Sequence, residues 1–295
     1  MAEKCCLCPR NCKVDREKGI GYCKSGDKVR LSRVGLHMWE EPCISHKNGS
    51  GTIFFAGCNM GCVYCQNHEI SCGLSGKDVD IDTFCKEILK LQDMGAENIN
   101  FVTPTHYADK IIIALDRIKH KLDIPVVYNT SGYEKIETLK RLCGYIDIYL
   151  PDLKYYSPFV SEKYSFCRNY YETAVSAIGE MIKQTGKPML RDDGKMMRGT
   201  IIRHLVLPSL YKDSLLIFDE LEKRIDTSMC AVSVMCQYFP SHKAGEYPEI
   251  NRKTTTLEYM KVAQRVRQMN FALGFMQDKS SANEEYVPKF DYQRG

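Results

Sequence analysis

The 295-residue sequence predicts an α/β fold built on a parallel sheet, preceded by a small Cys-rich extension. Three observations point there. Six apolar strand-like runs alternate with six stretches of helical periodicity, nine of the 15 cysteines fall before residue 70, and 44% hydrophobic residues suffice for one full core. A chain of this length lies at the upper end of single-domain size, so one large domain with short appendages is expected.

The extension, residues 1–35, is polar and rich in Gly and Cys, with too few large apolar residues to hold a core unless something cross-links it. Residues 36–277 are expected to form the main domain. It opens with the lone Trp39 and a Gly49-Ser50-Gly51 loop that leads into the first strand. Strand-like runs cover 52–56, 98–102, 125–128, 146–150, 200–207 and 231–235, and the clearest helices cover 81–94, 109–121, 135–142, 171–185, 214–225 and 257–269. Six such units in succession imply a parallel sheet with right-handed crossovers. An open doubly wound sheet and a partial barrel both satisfy that pattern. The polar segment 278–295 reads as a tail or as a latch over the domain.

Composition excludes several classes of function. The 41 basic and 37 acidic residues leave a net charge of +4, spread without a basic stripe, so no nucleic-acid partner is expected. No apolar run reaches the length of a membrane span, and the N-terminus passes straight into cysteines instead of a signal-peptide core, which predicts a cytoplasmic protein with no membrane partner. In a reducing compartment, clustered cysteines are metal ligands before they are disulfides.

Directly after the first strand run stands Gly57-Cys58-Asn59-Met60-Gly61-Cys62-Val63-Tyr64-Cys65-Gln66-Asn67, with C-x3-C-x2-C spacing. Three thiolates on one short loop, which two glycines allow to curl, can each take one iron of a cuboidal [4Fe–4S] cluster and leave the fourth iron open. An open iron can chelate the amino and carboxylate groups of S-adenosylmethionine (SAM), and an electron passed to the sulfonium releases a carbon radical. Zinc is the competing reading. It needs a fourth ligand, for which His68 is nearest.

The same motif resembles that of the radical SAM superfamily, in which the aromatic residue before the third cysteine, here Tyr64, lies against the adenine. Further matches resemble the glycyl-radical enzyme activases of the pyruvate formate-lyase activating enzyme type. Cys62-Val63-Tyr64-Cys65-Gln66-Asn67 is similar to their C-x-Y-C-H-N, and Asn129-Thr130-Ser131-Gly132-Tyr133 to their D-T-N-G-F. Asp152-Leu153-Lys154 matches their D-L-K, and Arg203-His204-Leu205-Val206-Leu207-Pro208 is similar to R-Y-V-V-V-P. An activase-like branch that shares the Cys-rich start is the nearest in pattern.

The resemblance implies a partial (β/α)6 barrel with its chemistry at the C-terminal strand ends. It also implies a bound [4Fe–4S] cluster and SAM, a reductant such as flavodoxin or ferredoxin, and a glycyl-radical protein as partner. A small-molecule substrate and a non-catalytic iron–sulfur or zinc scaffold are the alternatives. The Gly-Gly-Glu segment that holds the SAM amino group in the family is replaced here by Val102-Thr103-Pro104-Thr105-His106. Thr103, Thr105 and His106 are therefore expected to contact the methionine portion, with Asn129 and Ser131 beside the ribose.

The leader cysteines Cys5, Cys8, Cys12 and Cys23 suit a tetrahedral zinc or a second iron–sulfur cluster by ligand type. At the strand ends, Asp152, Lys154, Arg203 and His204 read equally as ion pairs or ligand contacts. Because strand faces alternate, at most one of Arg203 and His204 points inward. His37 and the pair Glu40-Glu41 read as exposed residues or as a cap on the barrel mouth.

Overall fold

The computed structural model describes residues 4–73 and 75–276. The segment 278–295, with its reading as tail or latch, lies outside the described residues.

The chain first forms β1 (Val29–His37), then a short helix α1 (Pro42–Ser45), and then β2 (Ser50–Phe55), which is buried along its whole length. The cysteine loop follows, with α2 (His68–Ser71) and β3 (Lys77–Val79) behind it. Strand–helix units come next: α3 (Ile81–Asp93), β4 (Ile99–Val102), α4 (Ala108–Ile118), β5 (Val126–Thr130), α5 (Ile136–Arg141) and β6 (Ile148–Pro151). After β6 the chain makes two helices, α6 (Pro158–Ser165) and α7 (Tyr170–Thr185). It then forms a hairpin of β7 (Met189–Leu190) and β8 (Met196–Leu205), and finally α8 (Tyr211–Arg224), β9 (Ala231–Met235), α9 (Thr256–Arg267) and β10 (Leu273–Met276).

The sheet runs β10-β9-β8-β6-β5-β4-β2-β1-β3, with β7 beside β8. Seven strands, from β2 through β10, are parallel to their neighbours, whereas β1 and β3 are antiparallel. The path is unclosed, as a partial barrel requires. All six expected strands and all six expected helices form, most ends within two or three residues of the reading. β1, β3, β7, β10, α1, α2 and α6 were not foreseen, and β1 runs across position 35, where the extension was expected to end.

Burial explains these elements. On α3, Phe84, Cys85, Ile88 and Leu91 fall on one face and pack against Phe101 and Ile99. Each large apolar side chain buried in this way contributes roughly 1.5–3 kcal/mol. Asp80 caps the helix by accepting from the Thr83 N–H at 2.8 Å. Alternate strand residues face inward, where Val127, Ile148, Leu150, Ile201 and Ala231 meet Cys43 and Ile44 of α1. The segment ahead of β2 therefore plugs the barrel, and everything above that plug is left to the site.

The leader folds onto the body by polar contacts. Thr138 Oγ1 donates to the Leu7 carbonyl at 2.7 Å, Lys135 Nζ to the Cys6 carbonyl at 3.2 Å, and the Cys58 N–H to the Cys23 carbonyl at 3.2 Å.

Candidate functional site

A cavity of about 260 Å³ opens at the C-terminal ends of the parallel strands. The loop after β2 makes one wall. Gly57 and Gly61 both hold left-handed backbone, at φ 88° and 81°. At Gly57 the constraint is doubled, because a Cβ there would stand 2.2 Å from the Cys23 carbonyl oxygen. This path turns Cys58, Cys62 and Cys65 toward the same cavity.

Donors already surround these sulfurs. The Met60 N–H reaches Cys58 Sγ at 3.4 Å, the Ser165 hydroxyl reaches Cys62 Sγ at 2.9 Å, and Ser71 and the Asn67 N–H face Cys65. Burial pushes the Cys58 thiol up to about 11 and the Cys65 thiol up to about 12, so a metal binding there displaces protons. Among the described residues no three His, Cys, Asp or Glu side chains gather around a single-ion point. His68, the nearest candidate for a fourth zinc ligand, stacks on His242 with centroids 5.0 Å apart and is not among the cavity-lining residues.

The opposite wall comes from the strand ends. Thr103 lines it with φ at 57°, a left-handed backbone that is a genuine outlier for a β-branched residue, and its N–H donates to the Asn129 carbonyl at 2.9 Å. Asn129, Thr130 and Ser131 line the cavity. Thr105 and His106 do not line it, which corrects the expectation that they contact SAM. A 3₁₀ turn carries them beneath the rim, where Thr105 donates to buried Glu134 at 2.6 Å and His106 Nε2 faces the Ala56 carbonyl at 2.8 Å. Burial pushes His106 down to about 3, so this imidazole is neutral at ordinary pH. Tyr64 does line the cavity, with its hydroxyl 2.5 Å from that of Tyr155 and its ring edge-on to Tyr238.

Charge is concentrated on the cavity floor. Arg203 bonds Asp152 at 3.1 Å and Glu40 at 3.1 Å and also donates to Asn129 Oδ1, while Asp152 holds Lys154 at 2.6 Å. Burial opposes ionisation of Asp152, but Lys154 and Arg203 outweigh it and hold the carboxyl below its ordinary value. Burial likewise works against the Lys154 charge, and Asp152 and Cys62 reverse it. Burial raises Glu40 despite the facing guanidinium. His204, on the other face of β8, lies outside the cavity between the Leu153 carbonyl and Ser214 Oγ. Glu40, which the sequence leaves open as either exposed or a cap on the barrel mouth, is buried and lines the cavity. Its burial is created by strands far away in sequence, and no local signal announces it.

The four leader cysteines lie within electrostatic reach of one another, although among the described residues they do not converge as a metal-ligand set. The Cys5 and Cys12 thiols hydrogen-bond each other, and a Cβ on Gly21 would lie 3.3 Å from Cys12 Sγ and 3.4 Å from Cys23 Sγ. Backbone N–H groups two residues on, at Leu7, Arg10 and Val14, point at the sulfurs of Cys5, Cys8 and Cys12.

Comparison with known proteins decides the family. A profile of the Radical SAM superfamily matches residues 52–189, and an uncharacterized protein of Methanocaldococcus jannaschii is 34% identical over 280 residues, covering 92% of this chain and 76% of that protein. The chain belongs to the radical SAM superfamily. Its fold is similar to that of methylornithine synthase (PylB), with a TM-score of 0.50 at 11% identity, over 75% of this chain and 63% of the other. Streptococcus suis SuiB bound to S-adenosylmethionine aligns at a TM-score of 0.47 and 16% identity, over 75% of this chain and 48% of that one. This chain thus spans about half the length of SuiB.

Membership implies a [4Fe–4S] cluster and SAM, and the residues present fit them. Three thiols from one loop line one cavity, each sulfur is met by donors that favour thiolate, and no fourth cysteine shares the wall. Among the described residues no helix is long and apolar enough to cross a membrane.

Proposed function

We propose that this radical SAM protein holds its cluster on Cys58, Cys62 and Cys65, cleaves SAM reductively, and passes the radical to a glycyl-radical protein. The observation that carries the reading is the convergence of three thiols from one loop on a cavity at the C-terminal rim of the parallel strands, the face where barrel enzymes do their chemistry. When bound, the cluster supplies the electron that breaks the bond between the sulfonium and the ribose 5′ carbon. The chain's own part is to hold and to screen. Tyr64 offers its ring to the adenine, and Thr103, Asn129 and Ser131 offer polar atoms to the methionine and ribose. The strained Thr103 backbone fixes where its hydroxyl stands. The ion pairs of Lys154, Asp152 and Arg203 give the floor fixed charges that need no reorganisation.

A protein substrate is favoured by the motif likeness after β5, β6 and in β8, and by an unclosed sheet that leaves a lateral way in for a peptide loop. A small-molecule substrate is the second reading, and a non-catalytic scaffold the third. The test mixes reduced protein with SAM and measures 5′-deoxyadenosine. Wild type should form it and Cys62→Ala should not, whereas equal formation in both would sink the proposal. A glycine-centred doublet by electron paramagnetic resonance, on adding candidate glycyl-radical proteins, separates the first reading from the second.

The leader cysteines Cys5, Cys8, Cys12 and Cys23 are proposed to bind a metal of their own, zinc or a second iron–sulfur cluster. Their proximity and the N–H groups aimed at their sulfurs support this. Elemental analysis of the Cys58→Ala/Cys62→Ala/Cys65→Ala protein should still find metal, lost on replacing Cys8 and Cys12.

A further inference from the structure

Resting on the reading that Thr103, Asn129 and Ser131 face SAM, we propose that Glu134 is the positioning residue of that wall: its buried carboxylate clamps the 103–106 and 129–131 segments to each other and so sets where their polar atoms meet the cofactor. Glu134 itself does not line the cavity and touches no reacting atom. Its Oε1 accepts from Thr105 Oγ1 at 2.6 Å and also from Thr130 Oγ1, so hydroxyls from two strand-end loops converge on one atom. Glu134, Thr105 and Thr130 are each at most 2% exposed, which keeps solvent from competing for those bonds.

A tight turn brings the carboxylate there. Gly132 holds φ 78°, and a Cβ on it would stand 2.2 Å from the Asp152 carbonyl oxygen, so the chain doubles back only with glycine at that point. The Glu134 N–H then donates to the Gly132 carbonyl at 2.9 Å, and the side chain folds under Thr130, four residues earlier. On the other segment, Thr103 keeps φ 57°, a conformation that a β-branched residue holds only where its surroundings over-determine it. The Thr103 N–H donates to the Asn129 carbonyl at 2.9 Å, and Thr105, two residues on, is moored to Glu134. Both contacts tie 103–106 to the same neighbouring segment, while His106 is held separately by the Ala56 carbonyl at 2.8 Å.

Folding alone does not call for a carboxyl at this place. Among the described residues no cation pairs with it and Oε2 makes no hydrogen bond, and burial pushes the group up to about 7 with the Thr105 and Thr130 hydroxyls resisting. A buried carboxyl without a compensating charge costs stability that an apolar residue of similar volume would not. What the carboxyl supplies is geometry. One oxygen with lone pairs for two donors fixes the spacing of the two hydroxyls, and with it the offset between Thr103 on one side and Asn129 and Ser131 on the other.

The experiment measures SAM affinity of the full-length, cluster-loaded protein by equilibrium dialysis, and its amide hydrogen exchange by mass spectrometry. Glu134→Ala should weaken SAM binding roughly 10–100-fold, the scale of a misplaced contact, and should speed exchange roughly tenfold in peptides covering 103–107 and 130–133, while peptides of β8 and β9 stay unchanged. Glu134→Gln keeps an oxygen that accepts from both hydroxyls, so it should hold affinity and protection within about twofold of wild type. Glu134→Leu fills the space but accepts nothing, and it should behave as the alanine variant does. Thr105→Val removes one of the two hydroxyls and should loosen 103–107 alone, which keeps the test decisive if the alanine protein does not fold. Unchanged exchange in the alanine and valine variants, full recovery with leucine, or faster exchange at wild-type SAM affinity would each overturn the proposal. A wild-type protein that binds no SAM would instead defeat the underlying reading of the wall, and the exchange pattern of the variants still decides whether Glu134 holds the two segments together.

Discussion

Glu40, carried on the segment ahead of the first parallel strand, stands 3.1 Å from Arg203 on β8, beneath the cavity. The two side chains are 9% and 13% exposed, and Glu40 also accepts from Asn100 and Asn129, so a single carboxylate ties β4, β5 and β8 to the plug. Glu40→Gln should therefore destabilise the fold. The cost is about 2 kcal/mol, below the ~3–5 kcal/mol of a stripped buried pair, because Asp152 continues to compensate Arg203. Urea unfolding monitored by circular dichroism measures it, and a midpoint equal to wild type would contradict the tie.

Gly57 offers a sharper lesion. With φ at 88° and the Cys23 carbonyl 2.2 Å from any added Cβ, Gly57→Ala must push the leader off the cluster loop and break the bond from the Cys58 N–H. The expected outcome is faster proteolytic cutting within residues 4–28 and loss of iron, with the helices of the body intact by circular dichroism. Gly144→Ala is the control. It also has positive φ, at 85°, but nothing lies within 4 Å of the added methyl, so it should share the backbone strain and leave the leader alone.

What could be read from the sequence follows physical lines. The six foreseen parallel strands are largely buried runs between amphipathic helices, and such runs are visible without partners. Val29–His37 mixes Arg30 and Arg33 with apolar residues, and it becomes a strand only because Phe55 and Ile53 of β2 lie opposite. Cys58, Cys62 and Cys65 were legible because their spacing carries the chemistry. Thr105 and His106 were placed by chain order alone, and the turn that hides them depends on Glu134 and Ala56, which sequence order does not reveal. Glu40 stayed open between exposure and a cap on the barrel mouth for the same reason, since a carboxylate beside an exposed Trp39 resembles surface until Arg203 is put against it.

Ser165 tests how the protein tunes its own thiol. The hydroxyl donates to Cys62 Sγ at 2.9 Å and lies 2.7 Å from the Tyr155 hydroxyl, so Ser165→Ala removes density-withdrawing character from the sulfur of one proposed ligand without touching that cysteine. The reduction potential measured by spectroelectrochemical titration should become more negative, and metal affinity should fall by roughly 10–100-fold, as is typical for a lost outer partner. A potential identical to wild type would mean that the contact is packing only.

His204 sets a pH dependence of stability that is independent of the cluster. Burial pushes its imidazole down to about 4, with the Leu153 carbonyl resisting, whereas in the unfolded chain it returns to about 6.5. The unfolded state therefore takes up the proton first as pH falls. The stability that His204 contributes is whole above about pH 6.5 and is lost progressively as pH drops toward 4, by about 3 kcal/mol in all. Replacing it with Gln keeps an amide able to donate toward the Leu153 carbonyl but cannot titrate. His204→Gln should thus lower the melting temperature near pH 7 and flatten its decline between pH 6.5 and 4 relative to wild type. Differential scanning calorimetry across that window provides the measurement, and parallel slopes in the two proteins would show that His204 is not the titrating group.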